Sequence, residues 1–401
     1  MTFDPCEIRA DFPVLEHIIY LDSAATSLSP RQVIEAQSDA EYHFRANVGR
    51  GVHRLGRLAT HKFEASRAEI AAFFGGASGT LAFTRNTTEG INIIANGLDW
   101  KPSDRVIVPL QEHHSNILPW FSLKEQGRIA GVDVIGGTEG CIRTEDIEAA
   151  ITDDTRLVAV GHASNVFGTI APVKEIAALC RKNDLLFLVD GAQTAPHLPI
   201  DLADIGCDYF CFSGHKMLGP TGIGGMWIKA GSPMPKPAFC GGGMVGKVTG
   251  QTFTTAGGAA QYEAGTPDII GAIGLCEATR YLSRLGMENV ARHSESLAKQ
   301  AVRGLAEISG VQVTTPASGH LTGAVSFTVD GVHPHEVAYF LDEAAAIMVR
   351  SGEHCCQPLM HKLFPNGNGG GTVRASAYCY NTEDDIEMLV ATVEEIAGMV
   401  K

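Results

Sequence analysis

The stretch LLFLVDGAQTAPH, residues 185–197, decides the predicted fold, because its continuously apolar run ends in an acid, Asp190. A short apolar run without alternation is typical of a strand that is buried on both faces of a parallel sheet. Similar β-rich runs, separated by segments with helical apolar spacing, occur at 80–84, 105–110, 132–137, 156–164, 209–213 and 224–230. This alternation predicts an α/β fold in which a mostly parallel sheet is covered by helices.

The chain beyond this region changes in composition. Residues 231–268 are rich in Gly, Pro and Thr, which predicts an extended loop region. A long helical pattern at 269–308 then leads to a second set of strand-like runs, VQVTTP, TGAVSFTV, IMVRSG and TVRASAYCY. We therefore predict a large domain over residues 20–268 and a smaller α/β domain that combines residues 1–19 with residues 269–401.

Composition limits the possible partners. The 401 residues are 45% hydrophobic and 19% charged, which is enough apolar surface for a folded core. A formal net charge of −14 argues against nucleic acid, whose phosphates need clustered Lys and Arg. No apolar run reaches the roughly 18 residues of a membrane span, and acids and a proline occupy the region where a signal peptide is basic and apolar. We expect a cytoplasmic protein that binds neither membrane nor nucleic acid.

The ten cysteines are scattered along the chain, and none of them forms a CxxC pair. In a cytoplasmic protein they are expected to be mostly reduced, so neither a metal site nor a disulfide framework is predicted. Most of them are interpreted as small buried hydrophobic residues. Cys355 is the exception, for reasons that depend on its neighbours.

A lysine and an acid lie at the ends of two successive predicted strands. Lys216 follows a strand in CFSGHKMLGPTGIGG (211–225), where burial or a neighbouring cation would prepare it to form a Schiff base with an aldehyde cofactor. Taken alone, a GHK tripeptide is more often a surface lysine in a polar turn. Asp190 could pair with a protonated pyridine nitrogen, bind a metal or cap a helix. The two residues together favour pyridoxal 5′-phosphate (PLP) over the alternatives.

A phosphate site is predicted in TRNTTEGINIIANGL (84–98), where Thr87 and Thr88 stand between a strand and a helical pattern. Hydroxyls and backbone N–H groups at a helix N-terminus bind anions. The alternative is an ordinary helix N-cap with Glu89 in the first turn, and the local sequence alone favours that alternative.

At this point a series of motifs gives the chain a family resemblance over nearly its whole length. The motifs are YLDSAATSLSP (20–30), RGVHRLGRLAT (50–60), TRNTTEGIN (84–92), EHHSNILPW (112–120), HASNVFGTI (162–170), VDGAQTAPH (189–197), SGHKMLGPTGIGG (213–225), YEAGTPDI (262–269), VRSGEHCCQPLM (349–360) and VRASAYCYNT (373–382). The sequence resembles group II cysteine desulfurases, of the SufS and CsdA type. These are fold-type I PLP enzymes of the class V aminotransferase group.

The resemblance implies a role for each matching residue of the cofactor site. The implied cofactor-binding residues are Thr87, Thr88, His113, Asn165, Asp190, Gln193, Ser213, His215, Lys216 and Thr266. Lys216 would carry the Schiff base, and Asp190 would pair with the pyridine nitrogen. His113 would stack on the ring and move protons, whereas its neighbour His114 is interpreted as structural. Thr266 would reach the phosphate from the second subunit of a homodimer.

The same resemblance implies a substrate end of the site. Arg374 would bind the α-carboxylate of L-cysteine as a bidentate pair. Arg350 would be a second cation, and Ala24 and Ala25 would line this end. Asn165 would lie near the phenolate of the cofactor or near the substrate carboxylate, and the resemblance leaves both positions open.

In this family the nucleophile loop has the pattern R-x-G-x-H-C-x-x-P, which assigns the catalytic thiol to Cys355. The preceding His354 and nearby arginines would favour the thiolate. Cys356 replaces a small residue such as Ala and is interpreted as a filler of similar size, with sulfur relay as the alternative. If the segment is extended, the two thiols point to opposite faces. Glu353 is a second departure from the pattern, interpreted as a solvated carboxylate.

The resemblance therefore implies a PLP-dependent cysteine desulfurase that converts L-cysteine to L-alanine and transfers the sulfur to Cys355. A persulfide there would be delivered to an acceptor of the SufE or SufU type, or to a scaffold of iron–sulfur cluster assembly. A selenocysteine lyase, or a C–S lyase that releases free sulfide, remains an alternative. From another class, a partner-dependent sulfur-transfer scaffold also remains open.

Overall fold

The computed structural model describes residues 3–49, 51–137, 139–365 and 370–399. Its strands, in chain order, are β1 (Ile19–Tyr20), β2 (Thr80–Thr84), β3 (Arg105–Pro109), β4 (Gly131–Ile135), β5 (Thr155–Gly161), β6 (Leu186–Asp190), β7 (Tyr209–Ser213), β8 (Gly224–Ile228), β9 (Val245–Thr249), β10 (Thr252–Thr255), β11 (Val311–Val313), β12 (Ala324–Val329), β13 (Ile347–Met348), β14 (Arg350–Gly352) and β15 (Thr372–Ser376).

The α-helices, also in chain order, are α1 (Pro5–Arg9), α2 (Arg31–His43), α3 (Arg54–Phe73), α4 (Thr87–Gly97), α5 (Leu118–Glu125), α6 (Thr144–Ala150), α7 (Val173–Lys182), α8 (Leu202–Ile205), α9 (Ile269–Leu285), α10 (Met287–Ala306), α11 (Pro334–Ala345), α12 (Gln357–Leu363) and α13 (Glu383–Met399). Short 3₁₀ turns occur at Pro13–Glu16, His114–Asn116, Gly214–Lys216 and Ala259–Tyr262. Among the residues that the structure describes, no helix is both long and apolar enough to cross a membrane.

The central sheet has seven strands in the order β2-β8-β7-β6-β5-β3-β4. Neighbouring strands from β7 to β4 are parallel, and β8 runs antiparallel to both β2 and β7. Strand β6 is buried along its whole length, and its side chains alternate between two clusters. Phe187 and Val189 join one cluster, whereas Leu186 and Leu188 join the other. Both faces of this central strand are thus covered by apolar side chains, as expected for a parallel sheet between layers of helices. The predicted α/β fold class is confirmed.

The carboxyl ends of the parallel strands bring several polar residues to one edge of the sheet. Strand β6 ends at Asp190, β7 ends at Ser213 and β5 ends at Gly161. The turn Gly214–Lys216 follows β7 directly. Ligands of open α/β sheets bind at this edge, so the fold positions Asp190 and Lys216 beside a common space.

A second sheet is antiparallel, in the order β11-β12-β15-β14. The side chains of this sheet share a core with residues of α10, α11 and α13. Pairing of β14 with β15 sets Arg350 directly opposite Arg374. Helix α9 instead buries side chains such as Leu275 and Leu282 in a cluster with residues of the central sheet. The division of the chain at residue 268 stays a prediction.

Residues 231–268 differ from the predicted extended loop, because part of this region forms a β-hairpin. Strands β9 and β10 pair antiparallel, with Val248 opposite Phe253, and the turn Ala259–Tyr262 follows. The helical pattern at 269–308 is divided into α9 and α10 at Gly286, whose φ of 81° is one that a residue without a side chain adopts readily. The high Gly and Thr content of residues 231–268 did not indicate that a solvent-exposed hairpin forms within this region.

Candidate active site

A cavity that is open to solvent lies at the carboxyl ends of the parallel strands. The predicted cofactor and substrate residues that line it are Ala24, Ala25, Thr87, Thr88, His113, Asn165, Asp190, Gln193, Ser213, His215, Lys216, Arg350 and Arg374. Thr266 is exposed and does not line the cavity. Cys355 lies beside the cavity, next to the lining residues Arg350 and His354. The chain therefore brings together residues that are separated by up to several hundred positions in the sequence.

Lys216 and Asp190 form the buried electrostatic centre of the cavity. Burial lowers the pKa of Lys216 to about 8, and the charge of Asp190 partly opposes this. Burial also raises the pKa of Asp190, while the N–H of Ala192, 2.9 Å from its Oδ1, partly offsets that rise. A lysine that loses its proton near neutral pH is suited to attack an aldehyde.

The N-terminus of α4 forms the end of the cavity that suits an anion. Asn86, not a threonine, is the N-cap, and its side chain accepts a hydrogen bond from the Glu89 N–H. Thr87 is turned toward Ser213: its N–H donates to Ser213 Oγ at 2.9 Å, and its hydroxyl lies 2.8 Å from the same atom. Thr88 Oγ1 is 2.7 Å from Ser115 Oγ. Asn86 therefore caps the helix, and the hydroxyls of Thr87 and Thr88 lie beside the cavity instead.

His113 and His215 are both neutral at physiological pH. Burial, reinforced by the charge of Lys216, lowers the pKa of His113 to about 3. The same two causes lower the pKa of His215 to about 4. His113 Nδ1 accepts a hydrogen bond from the Ser115 N–H at 3.1 Å, which fixes the orientation of the ring. Gln193 is held in turn, because its Nε2 donates to Ala24 O at 2.9 Å.

Arg374 is the buried cation at the opposite end of the cavity. Its Nη1 donates to Asn165 O at 3.0 Å, its Nη2 donates to Asp22 Oδ1 at 3.1 Å, and its Nε has no hydrogen-bond partner in the part of the chain that the structure describes. Burial lowers the pKa of Arg374 to about 10, so it stays charged at neutral pH. A buried guanidinium with an unused donor can accommodate a further anion.

The nucleophile loop, residues 353–357, has a backbone that the sequence did not reveal. His354 and Cys355 have φ values of 52° and 56°, so the segment is not extended here. Each non-glycine residue in this left-handed region costs about 1–2 kcal/mol. Cys355 is partly exposed, and Arg350 Nη2 lies 3.7 Å from its Sγ. The arginine is therefore the cation beside this thiol.

His354 does not have the charge-stabilising role expected for it. Its ring is buried, and Nε2 lies 2.9 Å from Thr372 Oγ1 and 3.1 Å from Thr372 O. Burial and the nearby arginines lower the pKa of His354 to about 2, so the ring is neutral. Because a neutral imidazole adds no positive charge, the contacts of His354 with Thr372 indicate structural support of the loop, and Arg350 is the cation beside Cys355.

Cys356 and Glu353 have surroundings of different kinds. Cys356 is fully buried in an apolar cluster, whose other buried members are Val166, Phe167, Leu359 and Met360. Burial raises the pKa of Cys356 to about 12, which supports the interpretation as a small filler. Glu353 is not simply solvated, because it accepts a hydrogen bond from Gln357 Nε2 at 2.6 Å and lies 3.4 Å from His361 Nε2.

Two acids near the site were missed by sequence reasoning. Asp22 holds Arg374, as described above. Glu112 is fully buried, and it accepts hydrogen bonds from Asn116 Nδ2 at 2.6 Å and from the Gly161 N–H at 2.7 Å. Burial raises the pKa of Glu112 to about 8. Asp22 lies in the motif YLDSAATSLSP and Glu112 in the motif EHHSNILPW, but only the folded structure shows what the two acids contact.

Known proteins resemble this chain over nearly its whole length. The family model described as "Aminotransferase class-V" matches residues 19–389. The chain is 42% identical to a probable cysteine desulfurase of Halalkalibacterium halodurans, over 97% of each chain. It is 39% identical to a probable cysteine desulfurase of Methanothermobacter thermautotrophicus, over 98% of each. The chain belongs to the class-V aminotransferases, among the cysteine desulfurases.

Solved structures of this family confirm the fold of the enzyme. The cysteine desulfurase from Thermococcus onnurineus NA1, solved in its apo form, is 38% identical and superposes with a TM-score of 0.93 over 100% of each chain. The cysteine desulfurase CsdA from Escherichia coli, crystallised as an S-sulfonic acid, is 32% identical with a TM-score of 0.90, again over 100% of each.

The cofactor of the enzyme is PLP, as the sequence predicted. The described residues fit it chemically. A buried carboxylate, Asp190, suits a protonated pyridine nitrogen, and Lys216 suits the aldehyde. The start of α4 and Ser213 suit the phosphate, because N–H and hydroxyl groups meet there.

Proposed function

We propose that the enzyme removes sulfur from L-cysteine, releases L-alanine and retains the sulfur on Cys355 as a persulfide. The observation that carries this proposal is the position of Cys355, a partly exposed thiol 3.7 Å from the Arg350 guanidinium and next to the cavity that holds Lys216. A thiol beside a cation reacts readily as the thiolate. A simple aminotransferase has no use for such a thiol.

The residues of the cavity divide the work of binding and proton transfer. Arg374 binds the substrate α-carboxylate, and Asp22 and Asn165 O hold the guanidinium in place. When bound, PLP supplies the electron sink for the substrate carbon. Lys216 Nζ takes the proton from the substrate Cα, which its lowered pKa of about 8 permits near neutral pH.

The sulfur transfer balances without an external oxidant. The substrate C–S bond breaks as an S–S bond forms between the substrate sulfur and Cys355 Sγ. The electron pair of the broken bond stays on the substrate carbon, which then accepts a proton to become the methyl group of alanine. Arg350 Nη2 lies 3.7 Å from the Cys355 Sγ, where its charge would stabilise a thiolate before attack.

Mass spectrometry of the protein after treatment with L-cysteine, without reductant, tests this proposal. We expect the peptide that contains Cys355 to gain one sulfur, about 32 Da, and to lose it on reduction. The matched variants are Cys355→Ala, which should gain no sulfur at this peptide, and Cys356→Ala, which should gain it as the native protein does. Sulfur found on another cysteine would overturn the assignment.

We further propose a homodimer, in which Thr266 contributes to the phosphate site of the second subunit. Thr266 is exposed and lies outside the cavity of its own chain. Its segment is nevertheless well anchored, because Glu263 pairs with the partly buried Arg67 at 2.5 Å and accepts from the Phe83 N–H at 2.7 Å. Sedimentation of the native protein should show a dimer, and Thr266→Ala should weaken PLP binding about tenfold through the loss of one charge-assisted hydrogen bond.

The persulfide is proposed to pass to an acceptor protein of the SufE, SufU or scaffold type in the cytoplasm, for iron–sulfur cluster assembly. All ten cysteines of the chain are free, as a reducing compartment would keep them. Sulfur labelled in L-cysteine should appear on such an acceptor only when Cys355 is present. A labelled acceptor with the Cys355→Ala enzyme would contradict this delivery.

A further inference from the structure

The nucleophile loop is fastened to the cofactor side of the site by three hydrogen bonds. Asn165 Nδ2 donates to His354 O at 2.7 Å. The His114 N–H donates to Cys355 O at 2.8 Å, and the Gln357 N–H donates to His114 Nε2 at 3.2 Å. Two of these three bonds belong to His114, a residue for which the proposed reaction has no role.

The loop needs this support, because its backbone is unfavourable. His354 and Cys355 both lie in the left-handed region, and such conformations persist only where the surrounding structure holds them. Helix α12 begins at Gln357, and the residue at its N-cap, Cys356, makes no side-chain capping bond. The imidazole of His114 supplies the missing acceptor for the first N–H of this helix.

His114 is itself fixed from the sheet. It opens the turn His114–Asn116, and Asn116 Nδ2 donates to Glu112. Glu112 in turn accepts from the Gly161 N–H, at the end of β5. The edge of the central sheet is thereby connected, through Glu112 and the turn, to the backbone on both sides of Cys356.

We infer that His114 is a positioning residue that holds Cys355 in the arrangement from which its thiol attacks the substrate. This inference rests on the proposed role of Cys355. Among the residues that the structure describes, His114 does not line the cavity that holds Lys216, and it bonds to the loop backbone, so it acts through the loop. Its imidazole works as an acceptor, and any side chain that keeps an acceptor at this point should preserve part of the effect.

Hydrogen–deuterium exchange of the holoenzyme tests the inference, with His114→Ala as the variant. Exchange in residues 353–360 should become about fivefold faster, the factor that corresponds to one ordinary hydrogen bond. We expect kcat for alanine formation to fall about tenfold, because the reacting atoms are displaced. KM for L-cysteine and the absorbance of bound PLP should stay unchanged, since Arg374 and Lys216 are untouched.

Two further variants separate positioning from general damage. His114→Gln retains an acceptor and should recover much of kcat and of the protection from exchange. His320→Ala removes an exposed histidine that pairs with Glu295 of α10, and it should alter neither measurement.

The inference is overturned if His114→Ala leaves exchange in 353–360 and kcat at native values, or if His114→Gln is as impaired as His114→Ala. Failure of the proposed function gives a different result, namely substantial alanine production by Cys355→Ala.

Discussion

Cys355 and Cys356 are neighbours in the chain, and their thiols have opposite surroundings. Cys355 is partly exposed and lies 3.7 Å from a guanidinium, whereas Cys356 is buried among Phe167, Leu359 and other apolar side chains. The left-handed backbone at Cys355 and the start of α12 directly after Cys356 separate the two side chains. The difference teaches that residue type and sequence position together do not decide reactivity. Solvent access and the nearest charge decide it.

Removal of the exposed thiol should have the largest effect. Cys355→Ala is expected to lower alanine production from L-cysteine at least about a thousandfold, because no second thiol can replace the nucleophile. Alanine and sulfide are measured together in the presence of a reductant. Retention of more than about a tenth of the native rate would show that sulfur leaves by a route other than Cys355, and the contrast between the two cysteines would lose its functional meaning.

Chemical modification compares the two thiols directly within one protein. Only the thiolate form of a cysteine reacts with an alkylating reagent. Burial raises the pKa of Cys356 to about 12, so this thiol stays protonated, and therefore unreactive, up to about pH 9. Iodoacetamide should therefore modify Cys355 at least about a hundredfold faster than Cys356 between pH 7 and pH 9, as measured by peptide mass spectrometry. In denaturant, where burial is lost, the two rates should converge. Rapid modification of Cys356 in the native protein would contradict the buried position.

The effect of the arginine should be smaller. Arg350→Gln removes the cation 3.7 Å from Cys355 Sγ and should slow alkylation of that thiol at pH 7, while Cys356 remains unreactive. Arg303→Gln, a change at an exposed arginine of α10, is the matched control and should leave both rates as they are. An unchanged Cys355 rate in Arg350→Gln would contradict a role of Arg350 in the reactivity of this thiol.

The smallest effect is expected at the buried thiol. Cys356→Ala should keep alanine production within about twofold of native and lower the free energy of unfolding by about 1 kcal/mol, because a small cavity replaces the sulfur. Cys356→Ser should cost about 2 kcal/mol, since a hydroxyl enters an apolar cluster. Urea denaturation measures both. A Cys356→Ala enzyme that forms the persulfide normally but fails to deliver sulfur would instead support the relay alternative.

Much of the fold was predictable because the central strands are buried on both faces. Strands β6, β7 and β8 are buried along their whole length, and burial on both faces requires continuously apolar runs. Such runs are easy to recognise in a sequence. The hairpin β9–β10 was missed for the opposite reason. Its residues are mostly exposed, so no burial pattern distinguished its strands from a loop.

For the candidate site, the sequence predicted which residues meet, and it predicted less about what each one does. His354 was expected to add positive charge near the thiol, yet its burial keeps it neutral. Glu112 was given no role, although it connects β5 to the turn that begins at His114. Such contacts depend on distances between segments that are far apart in the chain, and a local pattern does not encode them.

The sequence by itself determined the α/β class, the cofactor and the family, because strand-end Asp190 and Lys216 and the ordered motifs belong to the chain's covalent order. The family pattern assigned the nucleophile to Cys355, but only the tertiary structure decided the surroundings of the two adjacent thiols, one partly exposed beside Arg350 and one buried among apolar side chains. Strand pairing sets Arg350 opposite Arg374, and the left-handed turn at Cys355 brings Sγ to that cation. Charge and burial act through space, so their effects on a thiol become known only when the chain has folded.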